Sequence, residues 1–239
     1  MSLSPKVIRE ALVFSLPVAF GYIPMGMAFG VLLHTLGLAW WWGTLMGILI
    51  YAGAAQFLAV NLLSQKAGLL EVWVTTLLLN SRHLFYGLLM QARYHRFPFI
   101  QRLYSIFSLT DETFSIITTH PGHTNDARFV SYVSAFNHLW WILGCTLGGL
   151  LSSHMQFNSN GLEFSLVCMF AVLLYETWHA QRQWRPIVFA ICAAASVAFF
   201  LGMDNFLIKA IAVLLLLVAL AYRIDLTRTR RLPKETEPS

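Results

Sequence analysis

Long stretches without a charged side chain constrain this sequence more than any other feature. Residues 11–33, 35–65, 129–153 and 186–203 contain no Asp, Glu, Lys or Arg. A helix needs about 20 mostly apolar residues to cross the hydrocarbon core of a bilayer. Charged residues make up 11% of the chain, against about 25% in soluble domains. The pattern therefore predicts an all-α, polytopic integral membrane protein.

Hydropathy divides the chain into seven apolar segments and one shorter polar segment. The apolar segments are roughly 11–34, 38–64, 70–91, 129–152, 163–178, 186–202 and 205–222. The polar segment near 103–118 is expected to be re-entrant or interfacial. These features predict about six to seven transmembrane helices in a single transmembrane domain, 1–222. A charged cytoplasmic tail, 223–239, is expected to follow.

Basic residues indicate how the segments are oriented. They cluster in the links 91–102 and 179–186 and in the tail, which the positive-inside rule assigns to the cytoplasm. The formal net charge of +5 is interpreted as a topology and lipid-headgroup signal, so no nucleic-acid partner is expected. The N-terminus lies outside if the first segment spans. It lies inside, as Lys6 and Arg9 favour, if that segment is a re-entrant hairpin.

The first apolar segment contains residues that commonly interrupt helices. Pro17, Gly21, Pro24 and Gly26 fall within ten residues. Each proline removes a backbone donor, and interrupted helices are typical of transporter binding sites. The sequence therefore predicts a broken first segment, with Gly21, Tyr22 and Pro24 among the substrate-binding residues. A simple proline kink without a ligand role is the alternative.

Polar side chains in the second and third segments extend the predicted substrate site. Gln56 places an amide within an apolar run, and Asn80, Arg82 and His83 lie in the middle of the third segment. A central arginine costs about 2.5–3.5 kcal/mol on insertion scales, so it must face the protein interior and be paired. Gln56, Asn80 and Arg82 are predicted to bind substrate, and His83 to accept, donate or carry a proton. The alternative for Arg82 is a purely structural contact with free carbonyls.

Two adjacent carboxylates, Asp111 and Glu112, lie in the polar segment. Ser108 stands three residues before Asp111, a spacing that resembles a capping box and would make the acids stabilisers of a helix start. Alternatively, one carboxylate pairs with Arg82, binds the substrate ammonium or carries a coupling proton. The two interpretations are compatible, and both residues are predicted coupling or ion-pair sites.

Three glycine repeats of the G-x-x-x-G type predict close helix packing rather than chemistry. They are Gly26 with Gly30, Gly43 with Gly47, and Gly144 with Gly148.

Motifs of catalysis and metal binding are missing from the sequence. It contains no H-E-x-x-H, no G-x-S-x-G and no phosphate-binding glycine loop followed by lysine, so neither an enzyme nor a cofactor is expected. His120 and His123 flank a Pro-Gly turn without a third ligand nearby, so no metal site is expected. Cys145, Cys168 and Cys192 lie in apolar runs and are interpreted as free thiols.

Several of these motifs, in this order, resemble the AzlC/YgaZ family. The resemblance is strongest from about residue 15 to 115. It is carried by Ser15-Leu16-Pro17, Tyr22-Ile23-Pro24, Ala28-Phe29-Gly30, Tyr51-Ala52-Gly53-Ala54-Ala55-Gln56-Phe57, Arg82-His83, Tyr86-Gly87 and Leu109-Thr110-Asp111-Glu112 with Phe114.

The resemblance implies the large subunit of a branched-chain amino acid exporter. It also implies a small hydrophobic AzlD/YgaH-type partner encoded as a separate chain, and a place in the bacterial plasma (inner) membrane. We therefore expect proton-coupled export of branched-chain or similar neutral amino acids, and a homo-oligomer is compatible with this interpretation. A passive channel for small solutes and a non-transporting assembly subunit are the alternatives.

Overall fold

A computed structural model describes residues 5–119, 125–154, 171, 174–175, 178, 184–201, 209–210, 212–214 and 216–220. Within these ranges the chain forms helices and connecting turns, and no strand occurs among them. The predicted all-α class is confirmed. Two compact units are distinguished, Met1–Val172 and Leu173–Ser239.

Seven helices make up the described part of the first unit. They are α1 (Pro5–Thr35), α2 (Trp41–Leu49), α3 (Gly53–Ser64), α4 (Leu69–Tyr94), α5 (Phe99–Phe107), α6 (Asp111–Thr119) and α7 (Ala127–His154). In the second unit, α8 (Arg185–Ser196) continues into a π-helical turn, Val197–Leu201.

Helix length and apolar composition identify α1 as the one described helix that could cross a membrane by these criteria alone. Gly53–Ser64 and Ile187–Phe200 are shorter apolar helices. The 26 residues of α4 and the 28 of α7 extend about 39 and 42 Å at 1.5 Å per residue. Polar residues within both lower their hydropathy, so the number of spans stays a prediction.

The core of the first unit is built on the packing of α1 along α7. Gly26 of α1 faces the backbone of α7, where an added Cβ would lie 2.9 Å from the Cys145 amide nitrogen and 3.0 Å from Gly144 Cα. Gly47 of α2 approaches the same part of α7 at Cys145 Sγ. Small residues at these positions let backbones approach closely. The glycine repeats are packing seams, as predicted.

The predicted break in the first segment is wrong, because α1 continues through both prolines. Pro17, Gly21 and Pro24 all lie on the exposed side of the helix. The opposite side, which includes Ser15 and Tyr22, is buried. A proline removes one hydrogen bond locally, and helices in membranes tolerate this loss where packing against neighbours holds the backbone. Contact along α7 provides that support.

The interruption lies instead in the second segment, between α2 and α3. Tyr51 adopts φ 43°, a left-handed conformation that costs a non-glycine residue roughly 1–2 kcal/mol. The residue before α3, Ala52, makes no side-chain capping bond. The residue at the break is a tyrosine rather than a glycine or a proline, so local residue preferences do not predict this break.

The polar segment folds as two short helices, α5 and α6, joined by residues 108–110. Nine residues each give about 14 Å of helix, too short to cross a hydrocarbon core of about 30 Å. The start of α6 is capped by Thr110, whose Oγ1 accepts from the Thr113 amide at 3.3 Å. The capping box predicted from Ser108 is wrong, because the Ser108 hydroxyl donates back to the Tyr104 carbonyl at 2.6 Å.

Several predicted boundaries fall beyond the part of the chain that the structure describes. The tail 223–239, most of the segment 163–178 and part of the segment 205–222 lie outside the described residues, as do His120, His123 and Cys168. The single domain 1–222 stays a prediction.

Candidate functional site

Two sides of α4 face two different polar regions of the first unit. Asn80, His83 and Gly87 recur at helical spacing and line a partly open cavity. Arg82 lies to one side of this row and faces Asp111 at the start of α6. Residues on one side of a helix recur every three or four positions. The sequence neighbours Arg82 and His83 therefore face different regions.

The cavity lies between the α2–α3 break, α4 and α5, and has a volume of about 460 Å³. Small-molecule sites typically measure about 300–1,000 Å³. Its apolar wall comprises Ile50, Ala52, Leu84, Gly87, Ile106, Phe107 and Leu109. Its polar and basic groups are Tyr51, Asn80, His83, Gln91, Tyr94, His95 and Arg102. This lining contains no acidic side chain, so the cavity suits a ligand with an aliphatic part and a carboxylate.

An ion pair stands beside the cavity. Arg82 Nη1 lies 2.6 Å from Asp111 Oδ2, and the two side chains are 32% and 17% exposed. Two further polar atoms of this pair, Arg82 Nε and Asp111 Oδ1, are buried without a hydrogen-bond partner in the described part of the chain. Both atoms are enclosed by protein, and Tyr86 also interacts with the Asp111 carboxylate.

Glu112 has a different partner from its neighbour Asp111. Its Oε2 accepts a hydrogen bond of 2.5 Å from the Tyr22 hydroxyl of α1. Behind Tyr22, hydrogen bonds continue through buried side chains of three elements. We call this series the hydroxyl chain, and its members in order are Trp140, Ser15, Asn137, Thr113, Thr110, Tyr22 and Glu112.

Tyr51 joins the two regions. Its ring lines the cavity, and its hydroxyl lies near Tyr22, Thr110 and Glu112. The phenol oxygen is buried without a hydrogen-bond partner among the residues that the structure covers. The strained backbone at this position therefore places one side chain between the cavity and the carboxylate.

His138 of α7 supports Tyr51 and the end of α2. Its Nε2 lies 3.1 Å from the Gly47 carbonyl oxygen, and its Nδ1 lies 3.1 Å from the Tyr104 hydroxyl. Because a carbonyl only accepts, Nε2 donates and Nδ1 accepts from Tyr104. The imidazole stacks on Tyr51 with ring centres 4.2 Å apart. A free carbonyl at the C-terminal end of α2 is thereby satisfied.

Among the sequence-predicted site residues, the structure brings Asn80 and His83 to the cavity. Arg82 and Asp111 form the ion pair. His83 lies close to this pair and interacts electrostatically with both of its members. His83 Nδ1 also lies 3.3 Å from the Asn80 carbonyl. The roles of these residues in transport stay predictions.

The other predicted site residues divide into two groups. Tyr22 and Glu112 contact each other in the hydroxyl chain. Gln56 is fully buried and its Oε1 accepts from the Trp141 indole at 2.8 Å, which places it behind Tyr22 rather than in the cavity lining. Gly21 and Pro24 lie on the exposed side of α1, and the structure does not bring them to either region.

Sequence reasoning missed the buried polar residues of the hydroxyl chain on α1 and α7. Ser15 and Asn137 are fully buried and hydrogen-bonded at 2.7 Å, although 122 residues separate them. The sequence contains a signal for Asn137, because Asn137 and His138 are adjacent polar residues inside the window 129–153, which has no charged side chain. Polar residues inside apolar segments often mark a functional path. The hydroxyls of Ser15 and Thr113 gave no comparable signal.

Within the described ranges, no three His, Cys, Asp or Glu side chains form a group that could hold a metal ion. Cys145 is buried and Cys192 is exposed, and both are free thiols.

Comparison with known proteins identifies a family model and several relatives that match the chain. The family model described as AzlC protein matches residues 17–155. The branched-chain amino acid transport protein AzlC of Bacillus subtilis is 31% identical over 87% of this chain and 82% of its own length. An uncharacterized membrane protein of Helicobacter pylori is 33% identical over 92% of this chain and 97% of its own. The inner membrane protein YgaZ of Escherichia coli is 26% identical over 78% and 79% of the two chains.

No solved structure matches the chain significantly. The membrane relatives, together with the helical fold, confirm the predicted helical membrane class. The family model and the coverage of these relatives give one conclusion: the chain belongs to the AzlC family.

Proposed function

We propose that this protein exports branched-chain or similar neutral amino acids across the bacterial plasma membrane by proton-coupled secondary transport. A small AzlD/YgaH-type subunit assists it. The name of the Bacillus subtilis relative supports the substrate class. The observation that carries the proposal is the cavity of about 460 Å³ beside the Arg82–Asp111 ion pair.

The cavity matches a zwitterion with an aliphatic side chain. Arg102 offers a cation for the carboxylate, and guanidinium groups bind carboxylates with good geometry. Ile50 lines the cavity directly after the last turn of α2, where the negative end of the helix dipole favours an ammonium group. Leu84, Ile106 and Phe107 provide apolar surface for the side chain.

The position of the cavity suits loading from the cytoplasm. His95 and Arg102 form part of its lining. Both lie in the basic link 91–102, which the positive-inside rule assigns to the cytoplasm. A substrate entering here comes from the cytoplasmic side, as export requires.

The charged pair and its neighbours are candidates for the coupling step. A coupled transporter needs a group that changes its charge during the cycle, and intramembrane carboxylates commonly serve this role. Asp111, Glu112 and His83 lie within one small region next to Tyr51. We propose that the proton is carried within this group.

Reconstitution tests the proposal as a whole. The purified protein is placed in proteoliposomes with and without the small partner, and efflux of labelled leucine, valine and methionine is measured under an imposed pH gradient. Saturable efflux that follows the gradient is expected. Flux that ignores pH gradient and membrane potential would indicate a passive channel. No flux with or without the partner would indicate an assembly subunit.

Two substitutions test the placement of the substrate. Arg102→Ala is expected to raise the KM for leucine roughly 10- to 100-fold, because a hydrogen bond to a charged group contributes about 1.5–3 kcal/mol. Gly87→Val is expected to slow the efflux of leucine more than the efflux of alanine. A Cβ at Gly87 meets no atom within 4 Å, so the added methyl groups enter the cavity. Arg96→Ala, in the same link but outside the lining, is the matched control. Unchanged kinetics in both variants would move the substrate site elsewhere.

A further inference from the structure

The backbone at the α2–α3 break is strained at a bulky residue. Tyr51 has a φ of 43°, and Ala52 beside it has φ −137° and ψ 85°. A left-handed conformation crowds the Cβ of every residue except glycine against its own backbone. Such strain persists only where the surrounding structure holds it, and it is frequent at ligand sites and in switch regions. The question at this position is therefore what the tyrosine side chain does there.

Aromatic contacts hold the Tyr51 ring in place. It stacks on the His138 imidazole with ring centres 4.2 Å apart, and it meets the Tyr22 ring edge to face at 6.5 Å. The Phe107 ring lies 6.4 Å away, also measured between ring centres. His138 is itself anchored to the Gly47 carbonyl at 3.1 Å. The Tyr51 ring thus rests on a fixed base.

The hydroxyl of Tyr51 is not held by a hydrogen bond. It is buried and has no hydrogen-bond partner in the described part of the chain. The neighbouring Tyr22 hydroxyl, by contrast, bonds with Thr110 Oγ1 at 2.9 Å and with Glu112 Oε2 at 2.5 Å. A buried polar group without a partner carries the full penalty of its lost hydration. The Tyr51 side chain can therefore turn into the cavity without breaking a hydrogen bond, and its hydroxyl would gain water there.

Tyr51 belongs to both regions of the site. Its ring forms part of the cavity lining, and its hydroxyl lies near Tyr22, Thr110 and Glu112. The described lining of the cavity includes none of those three residues. The Tyr51 side chain therefore separates the cavity from the Glu112 carboxylate.

We propose that the Tyr51 side chain is a gate between the cavity and Glu112, and that the gate is closed in the described conformation. When the ring turns away, the carboxylate and the cavity share one space. The purpose of the gate rests on the proposed proton coupling, because a carboxylate that reaches the cavity in only part of the cycle exchanges its proton with one side of the membrane at a time. Removal of the ring should leave the two regions connected.

Cysteine reactivity behind the ring measures the gate without a transport assay. The full chain without its native cysteines is placed in lipid nanodiscs, which leave both faces accessible. It carries Thr110→Cys, at a position that is 9% exposed, and is treated with a small charged methanethiosulfonate. Ile106→Cys, in the cavity lining, shows that the reagent enters the cavity. The rate at Thr110→Cys is then compared in Tyr51→Phe and Tyr51→Ala.

Tyr94→Ala is the matched control. Tyr94 also lines the cavity, is as buried as Tyr51, and has a hydroxyl without a hydrogen-bond partner among the residues that the structure describes. It packs in an apolar cluster with Met90 and Phe97. The substitution removes the same side chain from another part of the lining and leaves Tyr51 in place.

We expect Thr110→Cys to react roughly tenfold faster in Tyr51→Ala than in the parent protein, because the aromatic contacts that keep the passage closed are lost. Tyr51→Phe should react no faster than the parent, since the ring and its contacts remain. Tyr94→Ala should also react like the parent. If Tyr51→Ala does not fold, Tyr51→Leu takes its place. If Thr110→Cys does not fold, the fully buried Thr113 is labelled instead as Thr113→Cys.

Equal rates in the parent and in Tyr51→Ala would overturn the proposal. So would a fast reaction in Tyr51→Phe, or an equal gain in Tyr94→Ala. In proteoliposomes without leucine, Tyr51→Ala should also leak protons, measured with an enclosed pH-sensitive dye, because the carboxylate would then reach both sides at once. A faster reaction at Thr110→Cys without a proton leak would support the gate and reject the proposed proton coupling.

Discussion

At the residue scale, two carboxylates that are adjacent in sequence have partners of different kinds. Asp111 faces the guanidinium of Arg82, and Glu112 faces the phenol of Tyr22. On a helix, consecutive side chains point about 100° apart, because a turn takes 3.6 residues. The first turn of α6 therefore directs one acid to α4 and the other to α1.

Breaking the ion pair separates its structural contribution from its contribution to transport. Asp111→Asn leaves a partly buried cation unpaired, and we expect a loss of about 1–3 kcal/mol in the free energy of unfolding, reduced from the fully buried case because both side chains are part-exposed. The double variant Arg82→Met with Asp111→Leu is expected to recover stability but not transport. Thermal unfolding by intrinsic fluorescence, together with leucine efflux, measures both.

Full transport by a stable double variant would show that the pair is structural only. A double variant as unstable as Asp111→Asn would show instead that the surrounding packing needs the charges. Arg96→Ala, an exposed arginine, is the control for the loss of a positive charge.

At the element scale, the position of a residue around its helix decides its role more than its type does. On α1, Pro17, Gly21 and Pro24 share the exposed side, while Tyr22 and Gly26 share the side that packs on α7. The exposed side fits lipid, and the buried side carries both the glycine seam and the start of the path to Glu112. Helix breakers were therefore a misleading signal in this segment.

Two glycines of α1 provide a matched pair for testing this distinction. Gly26→Ala is expected to destabilise the protein by about 1–3 kcal/mol, the usual cost of overpacking, because its Cβ would lie 2.9 Å from the Cys145 amide nitrogen. Gly21→Ala is expected to be neutral or to stabilise by up to about 1 kcal/mol, since no atom lies within 4 Å of its Cβ and alanine favours helix.

Thermal unfolding in detergent checks both variants, and efflux checks whether Gly21 has any part in substrate binding. Equal destabilisation by the two substitutions would contradict the packing described for α1 and α7. Loss of efflux in a stable Gly21→Ala protein would restore the original prediction that Gly21 belongs to the substrate site.

At the scale of the whole molecule, the first unit combines a rigid packed pair of helices with short, interrupted ones. α1 and α7 pack along each other, whereas α2, α3, α5 and α6 are 9 to 12 residues long. The α2–α3 break and α5 border the cavity together with the longer α4, and they supply Tyr51 and Arg102 to its lining. The two acids lie in the first turn of α6. Such a division between a fixed support and discontinuous helices is typical of transporter sites.

The side from which the cavity is reached can be measured directly. Ile106 lines the cavity and is 56% exposed. In a background lacking Cys145, Cys168 and Cys192, Ile106→Cys should react with a membrane-impermeant maleimide in inside-out vesicles but not in right-side-out ones. Leucine should slow the reaction, since bound leucine and the side chain at position 106 occupy the same cavity.

Arg96→Cys is the control, because it lies in the same basic link and is expected to label from the same side without protection by leucine. Labelling of Ile106→Cys from the outside alone would contradict cytoplasmic loading and the proposed direction of transport.

Several parts of the site could be inferred from sequence because their energetics are local. A guanidinium at the centre of an apolar segment requires a partner, either an acid or free carbonyls, and Asp111 and Glu112 were the acids within the polar segment. Asn80 and His83 were likewise predicted site residues, whereas the row that they form with Gly87 was not predicted. The cavity opposite that row depends on the α2–α3 break at Tyr51, which no local residue preference indicates.

The sequence by itself determined the helical membrane class, through charge-free windows too apolar for a soluble surface, and the close helix contacts, through spaced glycines. Only the tertiary structure decided which acid Arg82 binds, where a helix is interrupted and which buried hydroxyls lead to Glu112. Ser15 and Asn137 illustrate the reason, since 122 residues separate two groups whose atoms are 2.7 Å apart. Periodicity shows which residues share a side of a helix, but the partner of that side is set by how the helices pack together.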